Sequence, residues 1–85
     1  MPLKKIVLDV LKTIKGTSLV ELAEMIVRLN GVSKISINVS EVDVETITLN
    51  VTIEGNNIDF SELRDIIEKA GGVIHSIDYV TAEKD

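Results

Sequence analysis

The chain has no cysteine, tryptophan or glutamine, and one each of proline, histidine, phenylalanine and tyrosine in 85 residues. The missing cysteines exclude a disulfide framework, a thiolate zinc site and a thiol nucleophile together, and they fit a cytoplasmic location. The few aromatics provide no platform for stacking nucleic-acid bases. Basic residues are also short, nine against fourteen acidic ones, for a net charge of −5. Phosphate contacts dominate nucleic-acid affinity, so a chain of this balance without a basic stripe is expected to meet cations or basic partners and not nucleic acid. No apolar run approaches the ~18 residues that a bilayer span needs, so no membrane insertion is expected. In "MPLKKIVLDVLKTIKG" two lysines precede an apolar run, as in a signal peptide. That run is cut by Asp9 and Lys12 and has no small-residue cleavage site, so it reads as a strand.

What the chain does have is β-branched bulk. Eleven valines and twelve isoleucines make up most of its 45% apolar content, which suits half-buried pleated surfaces. Its length fits a single domain, residues 1–85. A domain this small buries only about 60–65% of the surface its unfolded chain exposes, so association would stabilise it.

The order of elements follows from spacing. "KKIVLDVL" is an extended segment, and "TIKGT" leads into Ser18 with Glu21 three residues on, a capping box. Leu19, Leu22, Ala23, Ile26 and Leu29 then recur at helical spacing, and Asn30-Gly31 closes that helix. Ile35, Ile37 and Val39 alternate with Ser36, Asn38 and Ser40. Ile47, Leu49, Val51 and Ile53 alternate with Thr46, Thr48, Asn50 and Thr52, which predicts a hairpin with one dry and one wet face. Asp59 and Glu62 open a second helix whose stripe is Phe60, Leu63, Ile66, Ile67 and Ala70, ended by Gly71 and Gly72. "GGVIHSIDYV" is the last strand. The sum is βαββαβ, an α+β ferredoxin-like sandwich in which two helices cover one face of a four-stranded antiparallel sheet and leave the other open.

That open face organises the functional expectations. With Ile6, Leu8 and Val10 turned to the helices, Asp9 faces out with Val7 and Leu11. With Val73, Ile77 and Tyr79 turned inward, Asp78 faces out and His75 turns away. Strands 1 and 4 are neighbours, so Asp9 and Asp78 are expected on one face, either as a solvated pair or around a cation or an arriving Lys or Arg. At the hairpin tip, "EVDVE" spaces Glu41, Asp43 and Glu45 two apart, so an extended chain would aim all three the same way. Oxygen-ligand ions such as Ca²⁺ or Mg²⁺ tolerate such a set, although the tip has no ion-wrapping glycine, and a charged tip that deters edge aggregation explains it as well. Val42 and Val44 between the acids, and Val20 on the first helix, are apolar where solvent is expected. Together with Val7 and Leu11 they are the expected contacts of a homo-oligomer, and a closed ring is one such assembly.

"IVLDVLK", the "GV" opening strand 2, the "TIEG" closing strand 3 and above all "GGVIHSID" resemble the small archaeal proteins grouped as domain of unknown function 211, over nearly the whole chain. The resemblance implies a ferredoxin-like fold, an archaeal and often thermophilic source and homo-oligomers, with no activity assigned. The absence of glutamine and cysteine agrees with a hot habitat.

Other proteins of this fold carry signatures that the chain lacks. Copper modules hold two cysteines where this chain reads "KTIKGT". Acylphosphatases need an arginine in that loop, whereas Arg28 and Arg64 both fall on helices. Amino-acid-binding regulatory domains of the ACT type look similar in "IKGTSLVELAEMIVRL", without their Pro-Gly. Two functional expectations follow. The first is a non-enzymatic homo-oligomeric module that binds divalent cations or a partner through acidic surface residues. The second is a regulatory domain that uses Lys15, Gly16, Thr17 and Ser18 at the first helix N-terminus to hold a carboxylate or phosphate of a small effector at a subunit interface.

Overall fold

The computed structural model describes residues 2–84. Its elements run β1 (Leu3–Thr13), α1 (Leu19–Val27), β2 (Val32–Val42), β3 (Thr46–Gly55), α2 (Phe60–Lys69) and β4 (Gly72–Ala82). The four strands form one antiparallel sheet in the order β2-β3-β1-β4. The fold is the α+β ferredoxin-like arrangement that the element order predicts.

The alternation in β1 decides which side is dry. Ile6, Leu8 and Val10 lie opposite Ile53, Val51 and Leu49 of β3, and all six are buried. Leu22 and Ile26 of α1 and Leu63 and Ile67 of α2 close over them, with Ile58 and Ala70 at the ends. Each helix begins on its expected cap. Ser18 Oγ accepts from the Glu21 amide at 3.1 Å while Glu21 Oε1 accepts from the Ser18 amide at 3.4 Å, a reciprocal box. Asp59 Oδ1 accepts from the Glu62 amide at 3.2 Å.

The turn after α1 and the end of β3 meet where no side chain fits. Gly31 follows α1 at φ +88°, and its carbonyl accepts from the Asn56 amide at 2.7 Å. A Cβ on Gly55 would stand 1.8 Å from that same carbonyl oxygen. The α1–β2 turn and the end of β3 are therefore in backbone contact, a seam that ties the two halves of the chain together.

Among the described residues, Lys12 is the one charged residue in the core. Strand alternation after Val10 turns it inward between Ile47 and Gly72, and 2% of it is exposed. Its Nζ donates to the Thr13 carbonyl at 2.9 Å, and it has no ion-pair partner among the described residues.

Two stability predictions follow from these contacts. Gly55→Ala should lower unfolding free energy by about 3 kcal/mol, the upper part of the range for overpacking, because backbone and not a flexible side chain must move. Urea unfolding followed by circular dichroism reads this, and a midpoint equal to the parent chain would refute the seam. Lys12→Met keeps the apolar stem and removes a poorly paired buried ammonium, so the melting temperature should hold or rise, by up to about 1 kcal/mol in stability. A clear loss in calorimetry would mean that the ammonium is better paired than its single carbonyl contact suggests.

Candidate functional site

The face away from the helices is bare among the described residues, and strand register sets its side chains in rows. Lys34, Glu54 and Lys5 form the first row, Ser36, Thr52, Val7 and Tyr79 the second, and Asn38, Asn50, Asp9 and Ser76 the third. The fourth holds Glu41, Thr48, Leu11 and Val73. On the β2–β3 side the rows are mostly hydroxyls and amides. On the β1–β4 side Leu11, Val73 and Tyr79 are respectively 42%, 62% and 52% exposed beside the half-buried Val7. Lys5 Nζ lies 5.6 Å from the Tyr79 ring centroid, within range for a cation–π contact.

Strand β4 departs from the expected alternation. Its pairing with β1 shifts by one residue between Val7 and Leu8 and again between Asp9 and Val10, which places bulges at Asp78 and His75. Each bulge resets which side the following residues face. Ile77, opposite Leu8, takes the inward side as expected, but Val73 is opposite Leu11 and Tyr79 opposite Val7, so these two stand on the open face and not inward. His75 does not turn away either: with Asp9, Leu11, Glu41 and Thr48 it borders a shallow groove of about 250 Å³ on that face.

Asp9 is where alternation puts it, opposite Ser76, and the Ser76 hydroxyl donates to Asp78 Oδ1 at 2.8 Å. The two aspartates thus flank one serine, Asp9 by register and Asp78 by hydrogen bond. Among the described residues no three His, Asp or Glu side chains converge as a metal-binding group. His75 makes no hydrogen bond to Asp9, Glu41 or Thr48, and no carboxylate among the described residues orients its ring.

The three tip carboxylates diverge. A further register shift between Val39 and Glu41 precedes the tip, and Ser40 Oγ donates to the Thr48 carbonyl at 3.1 Å. The chain then turns: the Asp43 amide donates to the Thr46 carbonyl at 2.8 Å, and Asp43 Oδ1 accepts from the Val44 amide at 2.7 Å. Glu41 therefore joins the open face, Asp43 is engaged by its own turn, and Glu45 borders a different cavity at the sheet's end. The extended geometry on which a shared aim depended is absent.

The proposed effector loop is likewise engaged. Ser18 and Glu21 satisfy each other's amides at the start of α1, which places the Glu21 carboxylate beside the helix N-terminus that an incoming anion would share. Lys15 faces the end cavity, and Thr13 Oγ1 donates to its carbonyl at 3.0 Å. Of the expected contact residues, Val7 and Leu11 lie on the open face, whereas Val20, Val42 and Val44 are exposed elsewhere.

Sequence reasoning missed His75 and Tyr79 as members of the open face, since no glycine or proline marks either bulge. It also passed over the inward Lys12, which is simply the next even position after Val10.

Comparison with known proteins places the chain. It is 45% identical over 82 residues to the "uncharacterized protein MJ0319" of Methanocaldococcus jannaschii, covering 96% of this chain and 84% of that one. A family model described as "DUF211: Uncharacterized ArCR" matches residues 4–85. The resemblance carried by "GGVIHSID" and its companions is thus borne out, and the chain belongs to the DUF211 family.

Proposed function

We propose that this protein is a non-enzymatic, cytoplasmic homo-oligomeric module whose copies associate through the open sheet face. One observation carries the reading: along β1 the open-face series is Lys5, Val7, Asp9, an apolar centre with opposite charges at equal spacing on either side. Such a series is self-complementary. Stack two faces about a two-fold axis lying between the sheets, across the strands at the level of Val7. β1 then runs antiparallel over its copy, Val7 meets Val7, and each Lys5 meets the other copy's Asp9. Tyr79 and Val73 supply further apolar area, and tyrosine is among the residues that most often dominate binding energy at interfaces.

The setting of His75 supports the non-enzymatic part: a general base is normally held by a partner that fixes its ring, and no hydrogen bond fixes this one among the described residues. The expected role for Ca²⁺ or Mg²⁺ between carboxylates changes accordingly, since in the stacked pair the ammonium of Lys5 supplies the positive charge beside Asp9. Val20 and Val42 lie off this face and would be free to extend pairs toward a closed ring.

Sedimentation equilibrium tests the reading. The parent chain should show concentration-dependent association that persists in EDTA. Lys5→Glu and Asp9→Lys should each weaken it on the order of 10- to 100-fold by setting like charges against each other, and the double exchange should restore most of the loss. A chain that stays monomeric, or singles whose effects simply add in the double, would defeat the proposal. Association that requires Ca²⁺ or Mg²⁺ would mean that carboxylates face carboxylates and would overturn the Lys5–Asp9 pairing.

A further inference from the structure

A second cavity, of about 390 Å³, opens at the end of the sheet between the β1–α1 loop and the β2–β3 tip, bordered by Thr13, Ile14, Lys15, Val44 and Glu45. It lies at the small end of the ~300–1,000 Å³ range of ligand pockets. Both walls are held by local bonds. The Ile14 amide donates to the Glu45 carbonyl at 3.0 Å, which fixes loop against tip. Thr13 Oγ1 holds the Lys15 carbonyl, and Gly16 bends the loop away at φ +97°, in the left-handed region. Across the cavity Asp43 clamps the Val44 amide.

Two features of this cavity lack a structural explanation. Ile14 and Val44 are 48% and 88% exposed, apolar side chains in turns where solvent would favour polar ones. Lys15 and Glu45 carry opposite charges on the same cavity, yet no ion pair joins them among the described residues. A cation, an anion and two aliphatic side chains around one space are the complement of a small zwitterion with an aliphatic tail. We infer that this cavity binds a free α-amino acid with a branched aliphatic side chain. Lys15 takes its carboxylate, Glu45 its ammonium, and Ile14 and Val44 flank its side chain.

This site is distinct from the capped helix N-terminus, where the Ser18 and Glu21 amides are engaged by each other's side chains. It also lies off the rows that stack in the proposed pair, so it stands or falls independently of that pairing.

Amide chemical shifts of the full chain, titrated with leucine, test the inference. Two probes lack one charge each: 4-methylpentanoate has no ammonium, and 3-methylbutan-1-amine has no carboxylate. Leucine should move the Ile14, Lys15 and Val44 amides and saturate in the millimolar range, as suits so small a ligand on an open cavity. Each probe should bind about 2- to 5-fold more weakly, the weight of one exposed charge contact. Lys15→Gln should abolish the advantage of leucine over the amine while keeping its advantage over the acid, and Glu45→Gln should do the reverse. Both substitutions are at exposed positions and preserve side-chain size, and the unshifted core amides verify the fold. Equal binding of all three probes to the parent chain would reduce the site to an apolar patch and overturn the inference, as would absence of shifts at tens of millimolar leucine. Shifts at Ile14 and Val44 that follow protein concentration and not leucine would mean that another copy covers the cavity, which also overturns it.

Discussion

The structure depends on the placement of β1 between β3 and β4, with register maintained along its length on the β3 side. A strand so placed cannot slip by one residue without sending Ile6, Leu8 and Val10 into solvent and Lys5, Asp9 and Leu11 into the core, an exchange far costlier than any gain in pairing. The same alternation that builds the core therefore fixes the pattern of the open face. Core and surface are two readings of one strand: Leu8 seals against Val51 because Val7 and Asp9 look the other way.

The two layers also differ in extent, which leaves apolar surface exposed at the margins of the sheet. Strands of 11 residues extend roughly 36 Å, whereas helices of 9 and 10 residues span only about 15 Å. The molecule is accordingly elongated, 44 × 22 × 17 Å. The helices cover the middle of the sheet, and its ends project beyond them. Val39 and Val80 pair opposite Leu49 and Ile6, which the helices bury, yet they remain exposed because they sit on the edge strands β2 and β4; Val42, opposite Ile47, is exposed on β2 close to the hairpin tip. Their apolar character follows from strand alternation, while their exposure follows from their place at the margins of the sheet.

This division marks what could be read in advance. Element order, both helix caps, the inward stripe of each helix and the two-sided hairpin were legible because each rests on a local period or a capping pair within a few residues. Asp9 was legible for the same reason. The side taken by His75, Val73 and Tyr79 was not, because a bulge is a disagreement between two strands' lengths and curvatures, and it leaves no mark in the one strand that carries it unless a glycine is needed there. The tip carboxylates failed differently: Asp43 spends its side chain on the Val44 amide, so the segment turns where a repeating acid spacing suggested extension. Gly55 gave no sign of its role either, since its constraint comes from Gly31, far away in sequence.

The distribution of the bulges bears on how the sheet can meet a partner. The β1–β3 ladder is uninterrupted, while the register shifts fall on the pairings that hold the two edge strands, β2 and β4. Bulges at an edge twist it and disturb the row of unpaired amides and carbonyls that another strand would need, one of the ordinary defences against edge-to-edge aggregation. Irregular edges disfavour extension of the sheet from copy to copy, whereas the regular centre of the open face suits stacking. The bulge at His75 also sets that histidine beside Asp9 and Glu41 at one end of the face, opposite the lysine end formed by Lys5 and Lys34. The irregularities that discourage contact along the edges leave the lysine end and the acidic end of the face apart, and that polarity is what would give a stacked pair its direction.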